Sequence, residues 1–237
     1  MIQIIRSKDR YHFETDWLST YWHFSFDHYY DPGNVQFGPL RVFNDDVIRA
    51  GGGFPLHGHK EIEIVTYVIE GELEHRDSMG NVGRIGPGEV QRMSAGAGVR
   101  HSEYNASKEK PLRLVQLWLL PAVKGLVPSW EQKKFTREER AGKLLPVAVP
   151  VGSGDTSSAV KIHQDATIYA SVLHPGDSVA HALGSGRRAY LFVVSGDVEL
   201  NGQSLSGGDQ ARITEETKLV LAAASKGDAE LLLLDLP

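Results

Sequence analysis

Two short segments of the chain each place two metal-ligating side chains two residues apart. His57 and His59 form one pair, and His101 and Glu103 form the other. In a β-strand, alternate side chains point to the same face, so both members of a pair can reach one ion. If the two strands meet, three imidazole nitrogens and one carboxylate surround a single point. The spacing therefore predicts one metal centre held by all four side chains.

The predicted donor set limits which metals fit. The chain contains no cysteine, which excludes disulfides and thiolate sites and leaves nitrogen and oxygen ligands. Three nitrogens and one carboxylate suit Fe(II), Mn, Ni, Co or Cu and leave positions open in an octahedral ion. Zinc would be enclosed in a tetrahedral shell instead. A closed structural zinc site is therefore an alternative to an open, reactive centre.

Each pair alone is a weak signal. With ten histidines in the chain, roughly 0.4 His-x-His pairs are expected by chance. The first pair could therefore be surface histidines, and the second a surface ion pair. Turn-forming segments beside both pairs favour a strand frame instead: 51–55 is Gly-Gly-Gly-Phe-Pro, and 96–98 is Gly-Ala-Gly. We interpret the nearby Glu63 as a structural or supporting residue, with a fifth ligand as the alternative.

The elements that must position these residues read as strands. Glycine makes up 25 of 237 residues, above the average of about 7%, and much of it lies in turn-like pairs between short apolar runs. This texture predicts an all-β fold with little helix. The expected features are a strand, turn and return strand over 62–75 with the turn at Gly71, a turn at 86–88, strands over 112–120 and 230–235, a capped helix over 136–141, and a flexible loop over 152–158.

A second set of similar residues follows the first in the same order. The matches are His57 with His181, Gly71 with Gly196, and Gly88 with Gly208, which lie 124, 125 and 120 residues apart. This order predicts two fused β-barrels of one type, which we place at 1–135 and 136–237.

The second copy lacks the ligands of the first. Leu183 stands where His59 would be matched, and no histidine follows His181. We therefore expect metal only in the N-terminal barrel. His174 and His181 are interpreted as exposed or structural residues.

Composition excludes other classes of function. The net charge of −5 has no long run of one sign, so we expect no direct binding to nucleic acid and none to a membrane surface. No apolar run approaches the roughly 20 residues of a membrane helix. No signal peptide is recognised at the first residues. We expect a cytoplasmic monomer.

Together these motifs resemble a known family. Gly51, His57, His59, Glu63 and Gly71 look like the first cupin motif, although the last spacing is one residue longer than usual, and Pro87-Gly88 through His101 looks like the second. The order of all these segments resembles the pirin family of bicupins. The aromatic block 21–32 and the segment 41–46 resemble its bacterial branch, the pirin-like quercetin 2,3-dioxygenases.

The resemblance implies a specific fold and function. It implies a bicupin of two jelly-roll-type barrels, with His57, His59, His101 and Glu103 holding the metal, iron being usual, and a metal-free second barrel. Bacterial members open the central ring of flavonols such as quercetin with O2 and release CO. The expected partners are thus a small flavonol-like aromatic substrate and O2, with Glu103 as catalytic base. The alternative is a non-catalytic metal-binding or redox-sensing regulator, since the mammalian member is an iron-bearing nuclear cofactor of transcription.

Overall fold

The computed structural model describes residues 1–154, 158–224 and 226–237. In these residues the chain forms twenty-two β-strands and one α-helix of a single turn, which confirms the all-β prediction. The middle of the predicted loop, 155–157, lies outside the described residues. The first twelve strands are β1 Ile2–Ile5, β2 Tyr11–Glu14, β3 Leu18–Trp22, β4 Leu40–Ile48, β5 Gly53–His59, β6 Glu63–Glu70, β7 Leu73–Asp77, β8 Val82–Ile85, β9 Glu89–Ser94, β10 Val99–Asn105, β11 Leu112–Leu119 and β12 Ser129–Lys134. The remaining elements are α1 Arg137–Arg140, β13 Leu145–Pro150, β14 Val160–Ile162, β15 Thr167–Leu173, β16 Ser178–Ala182, β17 Arg188–Ser195, β18 Asp197–Leu200, β19 Gln203–Ser206, β20 Gln210–Thr214, β21 Lys218–Ala223 and β22 Ala229–Leu236.

The strands form two compact units. One unit, which we call the histidine-rich unit, comprises Tyr11–Lys134 and Val160–Gln164. The other, which we call the C-terminal unit, comprises Met1–Arg10, Phe135–Ala159 and Asp165–Pro237. The N-terminal strand β1 belongs to the C-terminal unit because it pairs antiparallel with β20.

Two antiparallel sheets make up the histidine-rich unit. The larger sheet has the order β12-β9-β6-β11-β4-β3-β2, and the smaller has the order β5-β10-β7-β8. A cluster of buried apolar side chains contains residues of both sheets, namely Leu18, Ile48, Val68, Leu73, Ile85, Leu112 and Leu114. The two sheets therefore bury their apolar faces against each other, as in a sandwich or barrel.

The C-terminal unit repeats this arrangement. Its larger sheet contains, in order, β1, β20, β17, β22, β15 and β13, and its smaller sheet is β16-β21-β18-β19. The strands β17, β20 and β22 take the places of β6, β9 and β11, so the weak sequence echo corresponds to a repeated topology. Its core is rich in leucine and includes Leu183, Leu191, Leu219, Leu231 and Leu233.

The matched glycines of the two repeats have the same structural role. Gly71 has φ of 81° and Gly196 has φ of 78°, in the left-handed region that favours glycine. An added Cβ would lie 2.6 Å from the carbonyl oxygen of Pro111 at the first site and 2.4 Å from that of Asp228 at the second. Each glycine therefore allows the chain to turn tightly and pass from the larger sheet to the smaller one.

Several local predictions are confirmed. The turn at Gly71 joins β6 to a return strand, β7, which pairs with β8 and β10 of the smaller sheet. The predicted capped helix is present, since the Thr136 side chain accepts from the Glu139 N–H and the Glu139 side chain accepts from the Thr136 N–H. No helix in the described part of the chain is long and apolar enough to cross a membrane.

The role of Gly71 can be tested with a matched glycine. Gly80 also has positive φ, 92°, but no atom lies within 4 Å of an added Cβ. Gly80→Ala should cost only the backbone strain, about 1–2 kcal/mol. Gly71→Ala adds the clash with Pro111 and should cost at least about 2 kcal/mol more. Urea unfolding of both variants measures the difference, and equal losses would contradict the close-approach explanation.

Candidate metal centre

The two ligand strands are neighbours in the smaller sheet. β10 pairs antiparallel with β5, so that His101 lies opposite His57 and Val99 lies opposite His59. The register shifts between His101 and Glu103, and Glu103 lies opposite Phe54. Buried and exposed residues alternate along β10, with His101 and Glu103 both buried. In β5, His57 and His59 are half-buried and alternate with the exposed Leu56 and Gly58, so the predicted periodicity is present at both ligand pairs.

Three of the four predicted ligands converge. One ring nitrogen from each of His57, His59 and His101 lies within 4.8 Å of the other two. The Nε2 atoms of His57 and His101 are 3.1 Å apart. His57 Nδ1 is 2.8 Å from the carbonyl oxygen of Pro55, so this nitrogen carries the proton and the His57 Nε2 lone pair points toward the other histidines.

The charge state of the histidines suits a cation. Burial, together with the neighbouring histidines, lowers the pKa of His59 to about 4 and that of His101 to about 3. Both imidazoles are thus neutral at pH 7, as metal binding requires. The buried Nε2 of His59 has no hydrogen-bond partner among the described residues, which costs stability unless a ligand binds it. These residues therefore fit a divalent metal ion.

Glu103 is held beside these histidines by two amide donors. Gln91 Nε2 donates to Glu103 Oε1 at 2.6 Å, and Gln116 Nε2 donates to Glu103 Oε2 at 2.7 Å. Glu103 does not join the three-histidine group, and instead its carboxylate lies within 4.8 Å of ring nitrogens of His75 and His101. The structure thus brings Glu103 next to the histidines through the shared His101.

Two tryptophans fix the orientation of these glutamines. Trp130 Nε1 donates to Gln91 Oε1 at 2.9 Å, and Trp118 Nε1 donates to Gln116 Oε1 at 3.0 Å. An indole N–H only donates, so each glutamine must turn its oxygen to the tryptophan and its amide nitrogen to Glu103. Both carboxylate oxygens of Glu103 are therefore hydrogen-bond acceptors, and the side chain is fixed in one place.

Sequence reasoning missed His75. This residue of β7 is fully buried and lies opposite Glu103 in the β7–β10 pair. Its Nε2 is 3.3 Å from Asp77 Oδ2, and its ring stacks on Trp130 with centroids 5.4 Å apart. The available signal was its position in a His-x-Asp pair on a strand, which has the same two-residue spacing as the ligand pairs.

Glu63 lies apart from both groups of ligand atoms. It is buried, and its Oε2 accepts from Ser94 Oγ at 2.9 Å and from the His163 N–H at 3.1 Å. Its position agrees with a structural role.

A cavity of about 480 Å³ opens beside the histidines, which is within the usual range for small-molecule sites. His57 and Glu103 lie in its wall. Much of the rest of the lining is aromatic, from Phe13, Trp17, Trp22, Phe26, Phe54 and Trp118. Trp118 also packs edge-on against His59, with ring centroids 4.8 Å apart. The site can therefore receive a planar aromatic molecule next to the ligand atoms.

The cavity wall also holds a buried acid. Asp46 of β4 is 3% exposed. Burial, with the nearby carboxylates of Asp45 and Glu103, raises the pKa of Asp46 to about 7. Asp46 is thus close to half protonated at neutral pH.

Comparison with known proteins identifies the family. Residues 5–119 match the family model of Pirin, and residues 151–236 match that of the quercetinase C-terminal cupin domain. Quercetin 2,3-dioxygenase of Escherichia coli K12 is 42% identical over 237 residues, which cover 100% of this chain and 99% of that protein. The chain belongs to the pirin family.

Other pirin relatives agree in sequence and structure. A pirin-like protein of Caulobacter vibrioides is 43% identical over 219 residues, with 92% of each chain covered. The crystal structure of bacterial pirin YhhW from Escherichia coli in complex with nickel(II) is 41% identical. It superposes with a TM-score of 0.92 and covers 100% of this chain and 99% of that one. The predicted bicupin fold is therefore confirmed.

Of the two repeated units, one contains the groups of potential metal ligands found among the described residues. Across the described residues, both groups of potential metal ligands lie in the histidine-rich unit. In the C-terminal unit, His181 Nε2 is 2.7 Å from Asp235 Oδ2, and Leu183 is buried in the core. His174 is exposed and lies 2.8 Å from Asp228. Each of these two histidines is paired with an aspartate, which agrees with the exposed or structural role expected for them.

Metal titration tests the three-histidine group. His59→Ala removes one neutral nitrogen and should weaken Ni(II) binding by more than the roughly 10–100-fold that loss of an outer-shell partner costs. His174→Ala, in the other unit, is the matched control and should bind as the unaltered protein does. Calorimetric titration of metal-free protein measures both. Unchanged affinity in His59→Ala would mean that the ion is held elsewhere.

Asp46 should make stability depend on pH. Its pKa is about 7 when folded and has an ordinary value of 3.8, so the folded state binds more protons between these values and stability falls as pH rises from about 4 to about 7. Asp46→Asn abolishes this loss. Relative to the unaltered protein, its free energy of unfolding should increase by about 2–4 kcal/mol between pH 4.5 and pH 8.

Urea unfolding of metal-free protein across that pH range measures the difference. The same substitution at Asp16, which is exposed, should show no such increase. If the free energies of unfolding of Asp46→Asn and the unaltered protein differ by the same amount at every pH, the assigned protonation of Asp46 is contradicted.

Proposed function

We propose that this protein is a metal-dependent dioxygenase that opens the central ring of flavonols such as quercetin with O2 and releases CO. The observation that carries the proposal is the aromatic cavity of about 480 Å³ whose wall contains His57 and Glu103. An open cavity at the ligand atoms argues against a closed structural zinc site, which has no position for a further ligand. The name of the Escherichia coli relative supports the same activity.

We assign the metal to His57, His59, His101 and Glu103, with Fe(II) as the favoured ion. Three imidazoles and a carboxylate suit Fe(II), Ni and other divalent ions, and the nickel(II) complex of YhhW supports a site for a divalent metal. When bound, the ion supplies Lewis acidity and a fixed point for oxygen ligands. Side chains of this chain supply the base and the contacts to the substrate.

Glu103 is the base in this proposal. A flavonol reacts after its 3-hydroxyl loses a proton, and Glu103 is the carboxylate in the cavity wall next to the histidines. The amides of Gln91 and Gln116 occupy one lone pair on each oxygen. Each oxygen keeps another lone pair, so one oxygen would bind the metal and the other would accept the substrate proton. Because both amides are fixed, the base is oriented before the substrate arrives.

The aromatic walls bind and orient the substrate. Trp22, Phe26 and Trp118 form a chain of edge-to-face contacts, with centroid distances of 5.3 and 5.4 Å. Such rings bind a planar ligand and keep water away from the reacting carbons. The aromatic block 21–32 contributes two cavity-lining rings, Trp22 and Phe26.

Turnover of quercetin tests the proposal. Aerobic incubation of Fe-loaded protein should consume the flavonol absorbance and release CO. Glu103→Gln keeps the side-chain shape but cannot take a proton, so kcat should fall about 10²–10⁴-fold. Glu74→Gln makes the same change outside the cavity and should leave kcat unchanged.

Two results would contradict the enzyme assignment. One is absence of turnover with each of Fe, Mn, Ni, Co and Cu, which would favour the non-catalytic regulator. The other is full activity in Glu103→Gln, which would remove the assigned base.

A further inference from the structure

Two polar side chains of β4 interrupt the aromatic lining of the cavity. Asn44 and Asp46 both line it, and they are 5% and 3% exposed. They are two residues apart on one strand and therefore share a face. Asp45, between them, has a different environment, since Arg113 donates to both of its carboxylate oxygens at 3.0 and 3.1 Å. Asp45 is therefore paired within the protein, whereas Asn44 and Asp46 face the cavity.

Both cavity-lining side chains have an unsatisfied oxygen. Within the described residues, Asn44 Oδ1 and Asp46 Oδ1 are buried and have no hydrogen-bond partner of normal geometry. The Thr20 hydroxyl, opposite Asp46 on β3, is near enough to favour the Asp46 carboxylate, but it is itself without a partner of normal geometry. Leaving one buried acceptor unpaired costs about 1–3 kcal/mol, and folded proteins contain few such atoms. Two on one face of one strand, at the wall of a cavity, indicate a place where a ligand supplies the missing donors.

We propose that Asn44 and Asp46 form a polar subsite, the β4 subsite, which binds hydroxyl groups of the substrate away from its metal-binding oxygen. The β4 subsite rests on the proposed function for the identity of the ligand, a flavonol-like molecule. The oxygens of Asn44 and Asp46 restrict which chemical groups the ligand can present to them. An amide oxygen only accepts hydrogen bonds, so the ligand must present O–H or N–H donors there.

Charge and shape narrow the ligand further. Among the described residues, the cavity lining contains the acidic residues Asp27, Asp46 and Glu103 and no lysine or arginine, so nothing there would pair with an anionic group on the ligand near this strand. The aromatic side chains around them select a flat ring system. The structure therefore assigns the cavity to neutral, planar, polyhydroxylated aromatics in preference to aromatic carboxylates and to flavonols with no hydroxyl besides the enol.

The β4 subsite predicts discrimination between two flavonols. Quercetin carries hydroxyls on its outer rings, whereas 3-hydroxyflavone keeps only the enol hydroxyl. A site built to bond a hydroxyl loses affinity for a ligand that lacks it because its own polar atoms stay unpaired. Asp46→Leu and Asn44→Leu should each lower the ratio of quercetin affinity to 3-hydroxyflavone affinity at least tenfold, while the affinity for 3-hydroxyflavone stays within about threefold.

Quenching of tryptophan fluorescence by each flavonol measures both dissociation constants, in metal-free and in Ni(II)-loaded full-length protein. Asp16→Leu makes the same substitution at an exposed position of the same unit and should keep the ratio of the unaltered protein. Asp46→Asn retains an acceptor oxygen and should also keep the ratio within about threefold. If Asp46→Leu does not fold, Asn44→Leu and Asp46→Asn still decide.

The outcomes separate this inference from the proposed function. A tenfold fall in the ratio without any turnover of quercetin supports the β4 subsite and rejects the dioxygenase. Turnover with a ratio unchanged in both leucine variants overturns the β4 subsite and leaves the dioxygenase in place. A fall of the same size in Asp16→Leu, or absence of binding of either flavonol, also overturns the subsite.

Discussion

The site depends on the register between β5 and β10. His101 is paired with His57, and Val99 is paired with His59, so the imidazoles of two strands meet on one face. Side chains alternate with a period of two, and a slip of one residue would turn one pair of ligands away from the other. β10 is held on its other side by β7, which the turn at Gly71 brings into the smaller sheet. The cavity, Glu103 and the aromatic walls all lie beside the point where these imidazoles meet.

Local features of the chain could be predicted from sequence because they depend on nearby residues. Turn glycines, alternation in β10 and the capping box at Thr136 are set by backbone conformation and short-range hydrogen bonds. The same alternation predicted that His57 and His59 share one face, and that His101 and Glu103 share another. The resemblance to the pirin family implied that both ligand pairs hold one metal, whereas the direct pairing of β5 with β10 was not predicted.

Features that depend on distant contacts could not be predicted. Pairing of β1 with β20 joins residues at opposite ends of the chain, and no local pattern encodes it. The bonds from Gln91 and Gln116 to Glu103 require three strands of two sheets to meet. The raised pKa of Asp46 comes from burial, which the run Asn44-Asp45-Asp46 does not indicate. Charged residues in a strand ordinarily suggest an exposed face.

The two units share one topology but differ in the side chains between their sheets. The C-terminal unit fills the space between its sheets with leucines, and Leu183 in its core matches His59 of the other repeat. The histidine-rich unit instead keeps buried neutral imidazoles, a carboxylate fixed by two amides and a cavity. Unpaired buried nitrogens and a buried acid reduce stability, and binding of a ligand restores it. The repeat to which we assign the metal is thus the one that keeps buried polar groups beside an aromatic cavity.

Anomalous scattering at the absorption edge of the bound metal tests the central claim most directly. Crystals of the metal-loaded protein should give one peak per chain, within bonding distance of His57 Nε2, His59, His101 and Glu103. A peak bounded by His75, His101 and Glu103 without His57 would contradict the assigned ligands. A peak in the C-terminal unit would contradict the claim that one repeat alone binds metal.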